Sequence, residues 1–230
     1  MNFIVIGASQ GLGYELVKLL LNEGHMVAAG VVEKEPPAEL LALGDSKKLH
    51  IFQADVTQDS HLKAGAAACQ KFFDGKADAL CNVAGVLLPG DRVNLIHECD
   101  PQELRYTFEV NTIGAIMVGK YFYPLINKGG KLLSITSEGV GLSNCGSWVP
   151  LYSLSKTAAT KASGVFNAAV SDVDFYSVHP GRMNTEMGRT TAQIEPLEAA
   201  QGIHKIMTGT TALSRDVWYI DYNGKPMNMQ

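Results

Sequence analysis

A chain of 230 residues, 46% hydrophobic and 18% charged, can bury one sizeable core and does not have the composition of a disordered chain. Its 19 Lys and Arg against 23 Asp and Glu give a formal charge of -4 with no basic stripe, which excludes a nucleic-acid surface built on concentrated positive charge. Cys69, Cys81, Cys99 and Cys145 stand far apart, with no CxxC pair and no histidine at zinc-ligand spacing, so neither a disulfide framework nor a metal site is expected and a reducing compartment is the default.

The first apolar run, Phe3 to Ile6, is too short for a secretory core. No stretch approaches the roughly 18 apolar residues of a spanning helix, so a cytoplasmic protein without a membrane partner is expected. No composition shift marks a linker, and the chain reads as one domain over 1–230.

Short apolar runs alternate with helical patterns. Strands are predicted at Phe3–Gly7, Met26–Val32, Leu49–Ala54, Ala79–Val83, Lys131–Thr136, Asp174–Val178 and Val217–Asp221. A helix is predicted from Gly11 to about Glu23, with Leu12, Leu16, Leu19 and Leu20 on one face. Pro101 suits the first turn of another, through Leu104, Phe108, Ile113 and Met117. Such alternation predicts an α/β fold, a mainly parallel seven-stranded sheet covered by helices on both faces.

Directly after the first strand, Gly7-Ala8-Ser9-Gln10-Gly11-Leu12-Gly13 opens the first helix. A loop of this kind turns sharply, lets backbone approach a pyrophosphate, and presents free helix N–H groups to the anion. No Gly-Lys-Ser/Thr follows, so dinucleotide binding is favoured over triphosphate hydrolysis.

Tyr152 and Lys156 lie four residues apart in a helical segment and share a face, where the ammonium is expected to lower the phenol from its usual value of ~10. Ser137 ends the strand Lys131–Thr136, and a hydroxyl there faces the crevice in which open α/β sheets bind ligands.

Taken in order, the glycine loop, Asp55 in Ala54-Asp55-Val56-Thr57, Asn82-Val83-Ala84-Gly85, Asn111, Ser137, Tyr152 with Lys156, and Pro180-Gly181 followed by Thr185 resemble the short-chain dehydrogenase/reductase family. The resemblance spans nearly the whole chain and implies a single doubly wound Rossmann domain. It also implies an oxidoreductase moving a hydride between NAD(P)(H) and a carbonyl or alcohol. The roles implied are Tyr152 as general acid/base, Ser137 orienting the carbonyl, Lys156 tuning Tyr152 and holding the nicotinamide ribose, and Asn111 supporting a water-linked proton path. Cofactor contacts are implied at Gly7, Ser9, Gln10, Gly11, Leu12, Gly13, Val31, Val32, Asp55 and Val56. Further contacts are implied at Asn82, Val83, Ala84, Gly85, Tyr152, Lys156, Pro180, Gly181, Met183 and Thr185, with a homo-oligomer more often than a monomer. Taken singly, Asp55 also reads as a helix cap, Asn111 as a satisfied core amide and Ser137 as a turn hydroxyl.

Val83 stands where the family usually has a second asparagine, and the separation of Ser137 from Tyr152 predicts a bulge over Glu138 to Leu151 at the substrate mouth. The end segment from Trp218 to Pro226 resembles the compact C-factor and sniffer-type carbonyl reductases. The brief run from Gly188 to Glu195 predicts an open substrate cleft. By alignment with the family, Val31 takes the usual acid position and Val32 a common arginine position, leaving Glu33 and Lys34 to read the ribose, with a slight lean to NADP(H). His179 reads as packing rather than as a base, and Trp148, Met183, Met187 and Tyr222 as candidate cleft or core residues. The rival reading is a non-catalytic dinucleotide-binding signalling protein, against which the intact Ser137, Tyr152 and Lys156 argue.

Overall fold

The structure, a computed structural model, describes residues 1–143, 145–188 and 192–229. β1 (Asn2–Ile6) leads into α1 (Gly11–Asn22), β2 (Met26–Val31), a short α2 (Ala38–Leu41), β3 (Leu49–Gln53), α3 (Asp59–Phe73) and β4 (Ala77–Asn82). Then follow α4 (Pro101–Phe108), a π-helical turn (Glu109–Ile113), α5 (Gly114–Phe122), β5 (Ile126–Ile135), α6 (Pro150–Ala169), β6 (Val173–His179), α7 (Pro196–Met207) and β7 (Tyr219–Asp221). The strands form a wholly parallel sheet in the order β3-β2-β1-β4-β5-β6-β7.

Both faces of the sheet are buried, as near-continuous apolar strands require. Alternate residues of β1 serve opposite cores. Phe3 and Val5 pack with Leu12, Leu16 and Leu20 of α1 and Ile203 and Ile206 of α7. Ile4 and Ile6 pack with Leu62 and Cys69 of α3 and Val118 and Phe122 of α5. Leu19, expected on the buried face of α1, packs only at the margin of its core. Among the described residues no helix is long and apolar enough to cross a membrane.

The chain moves outward in one direction from β1 and in the other from β4, so the crevice opens between the carboxyl ends of these two neighbours. Gly7 and Ala8 both donate their N–H to Gly30 O, at 2.9 and 3.0 Å, and Val83 N donates to Ile6 O at 2.8 Å, which fixes the floor of that crevice.

Three departures from the expected elements have local causes. β5 starts at Ile126 rather than Lys131, because Gly129 adopts φ 79° while its N–H reaches Asp172 O, and a register shift opposite Ala77 and Ala79 absorbs the irregularity. β7 starts at Tyr219 rather than Val217, whose N–H closes a turn on Ser214 O. The helix starting at Pro101 is broken by the π turn that carries Asn111. Such turns collect at functional sites because they displace one side chain from the helical repeat.

Candidate active site

Gly7 and Gly13 show why the loop after β1 has to be glycine. At Gly7 φ is +82°, and a Cβ would lie 2.8 Å from Ala84 N; at Gly13 it would lie 2.1 Å from Gly7 O. The second contact packs α1 tightly on the loop. Gln10 at the N-cap supplies no side-chain acceptor, so the first N–H groups of α1 are left to face whatever binds in front of them. This cradle suits a pyrophosphate.

In front of it lies a cleft of about 560 Å³, lined by Gly7, Ser9, Gln10, Gly11 and Leu12 from the loop, by Val32 and Glu33 after β2, and by Asp55 and Val56 after β3. Val83, Ala84 and Gly85 after β4, Tyr152 and Lys156 of α6, and Pro180, Met183 and Thr185 after β6 complete the predicted set that reaches it. Four predicted contacts lie elsewhere. Gly13 packs behind the loop, Val31 is buried in the core at 1% exposure, and Asn82 is buried with its Oδ1 accepting from Ala84 N at 3.3 Å. Gly181 lines a second cleft instead. Asp55 faces the first cleft and caps no helix: its Oδ1 accepts from Thr57 N at 2.9 Å and Thr57 Oγ1 at 2.8 Å, closing a turn ahead of α3, whose N-cap is Gln58.

The second cleft, about 380 Å³, is walled by Leu87, Trp148, Val149, Met183 and Met187 and by the polar Ser137, Glu138, His179 and Arg182. Tyr152, Thr136, Pro180, Met183, Thr185 and Met187 belong to both clefts, so the phenol stands where the two meet. Tyr222, a candidate for this wall, turns away to donate its hydroxyl to Glu198 at 2.8 Å. Residue 144, in the expected bulge, and residues 189–191, in the run from Gly188 to Glu195, lie outside the described residues.

The buried face of α6 is polar, and each group on it is satisfied. Lys156 Nζ donates to Ile135 O at 2.8 Å, Thr160 and Thr136 share a hydroxyl contact, and Ser177 Oγ donates to Ser163 Oγ at 2.9 Å. Asn111 Nδ2 donates to Val86 O at 2.9 Å and Ser155 Oγ at 3.0 Å, and its Oδ1 accepts from Val86 N at 2.8 Å. Both amide hydrogens of Asn111 are therefore engaged in bracing α6 against the loop after β4. Gly85 leaves room for the pair beneath it, since a Cβ there would lie 3.0 Å from Lys156 Nζ and 3.2 Å from Asn111 Oδ1.

Lys156 Nζ lies 5.7 Å from the centre of the Tyr152 ring. Burial pulls the ammonium down to about 8 and pushes the phenol up to about 12. In the chain itself the cation thus does not lower the phenol as its spacing suggests: its one hydrogen bond goes to Ile135 O, and desolvation dominates both groups. Ser137 Oγ accepts from Gly139 N at 3.2 Å, while Tyr219 Oη anchors Ser137 O at 2.9 Å. His179 borders Glu138 at 4.0 Å, and burial holds its pKa below the usual histidine value, so it stands neutral as part of the wall. Glu138 also pairs with Arg182.

A residue with no motif to announce it places the whole face. Asp91, 2% exposed, accepts from Leu151 N and Tyr152 N with its two carboxylate oxygens, both at 2.8 Å. It does for α6 what the N-cap residue cannot, because Val149 there is in the left-handed region at φ 46°, strained for a β-branched side chain. A negative charge at that end also complements the helix dipole.

A family model described as short chain dehydrogenase matches residues 2–195. The chain belongs to the short-chain dehydrogenase family. Estradiol 17-beta-dehydrogenase 2 of Rattus norvegicus is 33% identical over 196 residues, covering 80% of this chain and 48% of its own length. The human 17-beta-hydroxysteroid dehydrogenase type 2 is 32% identical over 201 residues, covering 85% and 50%. The chain thus spans about half the length of these relatives. Among solved structures, the carbonyl reductase Sniffer of D. melanogaster shares the fold at TM-score 0.88 and 22% identity, covering 99% of this chain and 98% of its own. A short-chain dehydrogenase/reductase from Burkholderia multivorans with bound NADP does so at 0.86 and 24%, with the same coverage.

For this short-chain dehydrogenase, Asp91→Ala is expected to lower stability by about 1–3 kcal/mol through two uncapped N–H groups, and to reduce turnover as the start of α6 loosens. Asp91→Asn, which keeps one acceptor, recovers part of both. Thermal melting and turnover of the two variants, measured side by side, check this.

Proposed function

We propose that the chain reduces carbonyls, or in reverse oxidises alcohols, at the junction of its two clefts. The observation that carries this reading is the position of Tyr152, which lines both the cleft in front of the glycine loop and the one beside Ser137. A nicotinamide bound in the first cleft supplies or accepts the hydride. Tyr152 Oη, held protonated at neutral pH by burial, gives its proton to the oxygen of a substrate in the second cleft, while Ser137 Oγ hydrogen-bonds that oxygen. Lys156 offers its ammonium beneath the phenol and to the ribose side of the first cleft. Asn111, with both amide hydrogens engaged, acts as a positioning residue.

The apolar wall of Leu87, Trp148, Val149, Met183 and Met187 suits a bulky carbonyl or alcohol. The exposed Ile113 and Ile116 at α5 and Leu154 and Val165 along α6 support a homo-oligomer. A purely signalling role is disfavoured because a sensor has no use for Ser137, Tyr152 and Lys156 together at the mouth of a second cleft.

Tyr152→Phe is expected to fold and bind NADPH as wild type does, and to lose about 10²–10⁴-fold in turnover. A carbonyl panel followed by nicotinamide absorbance, with cofactor titration alongside, checks it; wild-type turnover in the variant overturns the assignment.

We propose weak discrimination between cofactors, with NADPH favoured by no more than tenfold, about 1.4 kcal/mol. The lean is supported by the NADP-bound Burkholderia multivorans structure. Its limit is set by Glu33, which lines the cleft with its carboxylate on Ser9 Oγ at 2.5 Å, whereas Lys34 stays exposed. Glu33→Gln removes the charge that repels a 2′-phosphate, and the ratio of NADH to NADPH dissociation constants is expected to rise. Titration of both reduced cofactors against both proteins measures it; an unchanged ratio shows that Glu33 does not face the ribose.

A further inference from the structure

At the edge of the sheet opposite the two clefts, three side chains from three elements converge. Glu23 closes α1, His25 precedes β2 by one residue, and His204 lies in the last turn of α7. Glu23 Oε2 is 3.0 Å from His204 Nε2 and 3.6 Å from His25 Nε2, and one ligand atom from each of the three lies within 4.8 Å of the others. His204 is 9% exposed, and its Nε2 is buried and makes no hydrogen bond despite the nearby carboxylate. The two imidazoles stack at 21° with centroids 6.4 Å apart, and the edge of Phe3 at 5.2 Å fixes the ring of His25. Both histidines therefore hold their Nε2 atoms in place before any ligand arrives.

We propose that Glu23, His25 and His204 form a binding site for a divalent first-row transition ion, with Zn²⁺ the best fit. Zinc bonds of roughly 2.0–2.2 Å in a tetrahedron put neighbouring ligand atoms roughly 3.3–3.6 Å apart. The separations of 3.0 and 3.6 Å from Glu23 Oε2 lie close to that edge, and the two histidine ligand atoms lie within 4.8 Å of each other, so side-chain shifts of about an ångström close the set. Two imidazoles and one carboxylate are a nitrogen and oxygen set that suits Zn²⁺ and not Mg²⁺ or Ca²⁺, which take oxygen ligands. Glu23, with its side chain 55% exposed, leaves the fourth position to water. None of the three residues lines either cleft, so the ion clamps the junction of α1 and β2 to α7 and takes no part in hydride transfer. Spacing in the sequence hides the site, because Glu23 and His25 are two residues apart and the third ligand arrives from α7.

The test uses the full chain stripped with EDTA, desalted and titrated with Zn²⁺ against a chromophoric chelator. Cys145→Ser serves as the background, since that thiol is exposed and a thiolate is itself a zinc ligand. The expected result is one equivalent of Zn²⁺ bound, no detectable Mg²⁺ binding, and a melting temperature raised by Zn²⁺. His25→Ala and Glu23→Gln should each weaken Zn²⁺ binding by at least about tenfold, since even outer-shell partners are typically worth that much. His204→Gln keeps the volume of the buried ring and is expected to do the same without unfolding the chain. Zn²⁺ binding by the His25→Ala, His204→Gln double variant equal to that of its parent overturns the proposal, as does the absence of a bound equivalent in the parent.

Discussion

Lys156 carries its ammonium into the interior of the fold, at 3% exposure, where one hydrogen bond to Ile135 O and the nearby face of the Tyr152 ring are its company. An ammonium held there is destabilising, which is why its pKa falls to about 8. Nothing in the packing of a parallel sheet calls for it. The polar face of α6 exists around this one group: Ser155 is braced by Asn111 and Thr112, Thr160 by Thr136, Ser163 by Ser177, and the helix end by Asp91. A buried polar network holds only when every member is satisfied, and here its members come from the loop after β4, the π turn, β5 and β6. Four parts of the chain thus set the direction in which one phenol points.

The other half of the site needs almost no side chains. Gly7 and Gly13 let the loop after β1 fold back against Ala84 and let α1 sit on it, and the uncapped start of α1 offers its N–H groups to an anion. Because β1 and β4 are neighbours at the point where the strand order reverses, this cradle opens beside the helix that carries Tyr152. The second cleft is then closed by the segment after β6, which Arg92 ties back through its hydrogen bond to Met187 O. The two clefts share Tyr152 because the topology brings α6 across the carboxyl ends of the central strands.

Much of this was legible in the residues. The apolar runs located every strand of the sheet, and Ser137, Tyr152, Lys156 and the glycine loop apart from Ala8 and Gly13 line the two clefts. What escaped had no local pattern. Asp91 acts on α6 from 60 residues away, and nothing near it in sequence distinguishes it from a turn aspartate. Gly129 and Gly130 interrupt the apolar run, so the start of β5 at Ile126 lay outside the predicted strand. The break at Glu109–Ile113 kept an apolar period on both sides, so it left no mark on the helical pattern although it positions Asn111. Val31 was placed by alignment at a ribose-reading position, yet it ends β2 facing the core, and Glu33 faces the cleft instead. Burial, too, is invisible in a spacing rule: four residues bring a cation near a phenol, but only the fold shows that desolvation outweighs the attraction.

The most direct measurement is the unfolding free energy of wild type and Lys156→Met at pH 7 and pH 9.5, with turnover recorded for each. With a folded pKa of about 8 against 10.5 for the free side chain, wild type carries the full penalty of a buried charge below pH 8 and sheds it between 8 and 10.5. The predicted result is a variant without turnover whose stability relative to wild type is highest at pH 7 and falls by pH 9.5. A relative stability that stays level or rises with pH contradicts the claim that the fold is organised around a buried, catalytically placed ammonium.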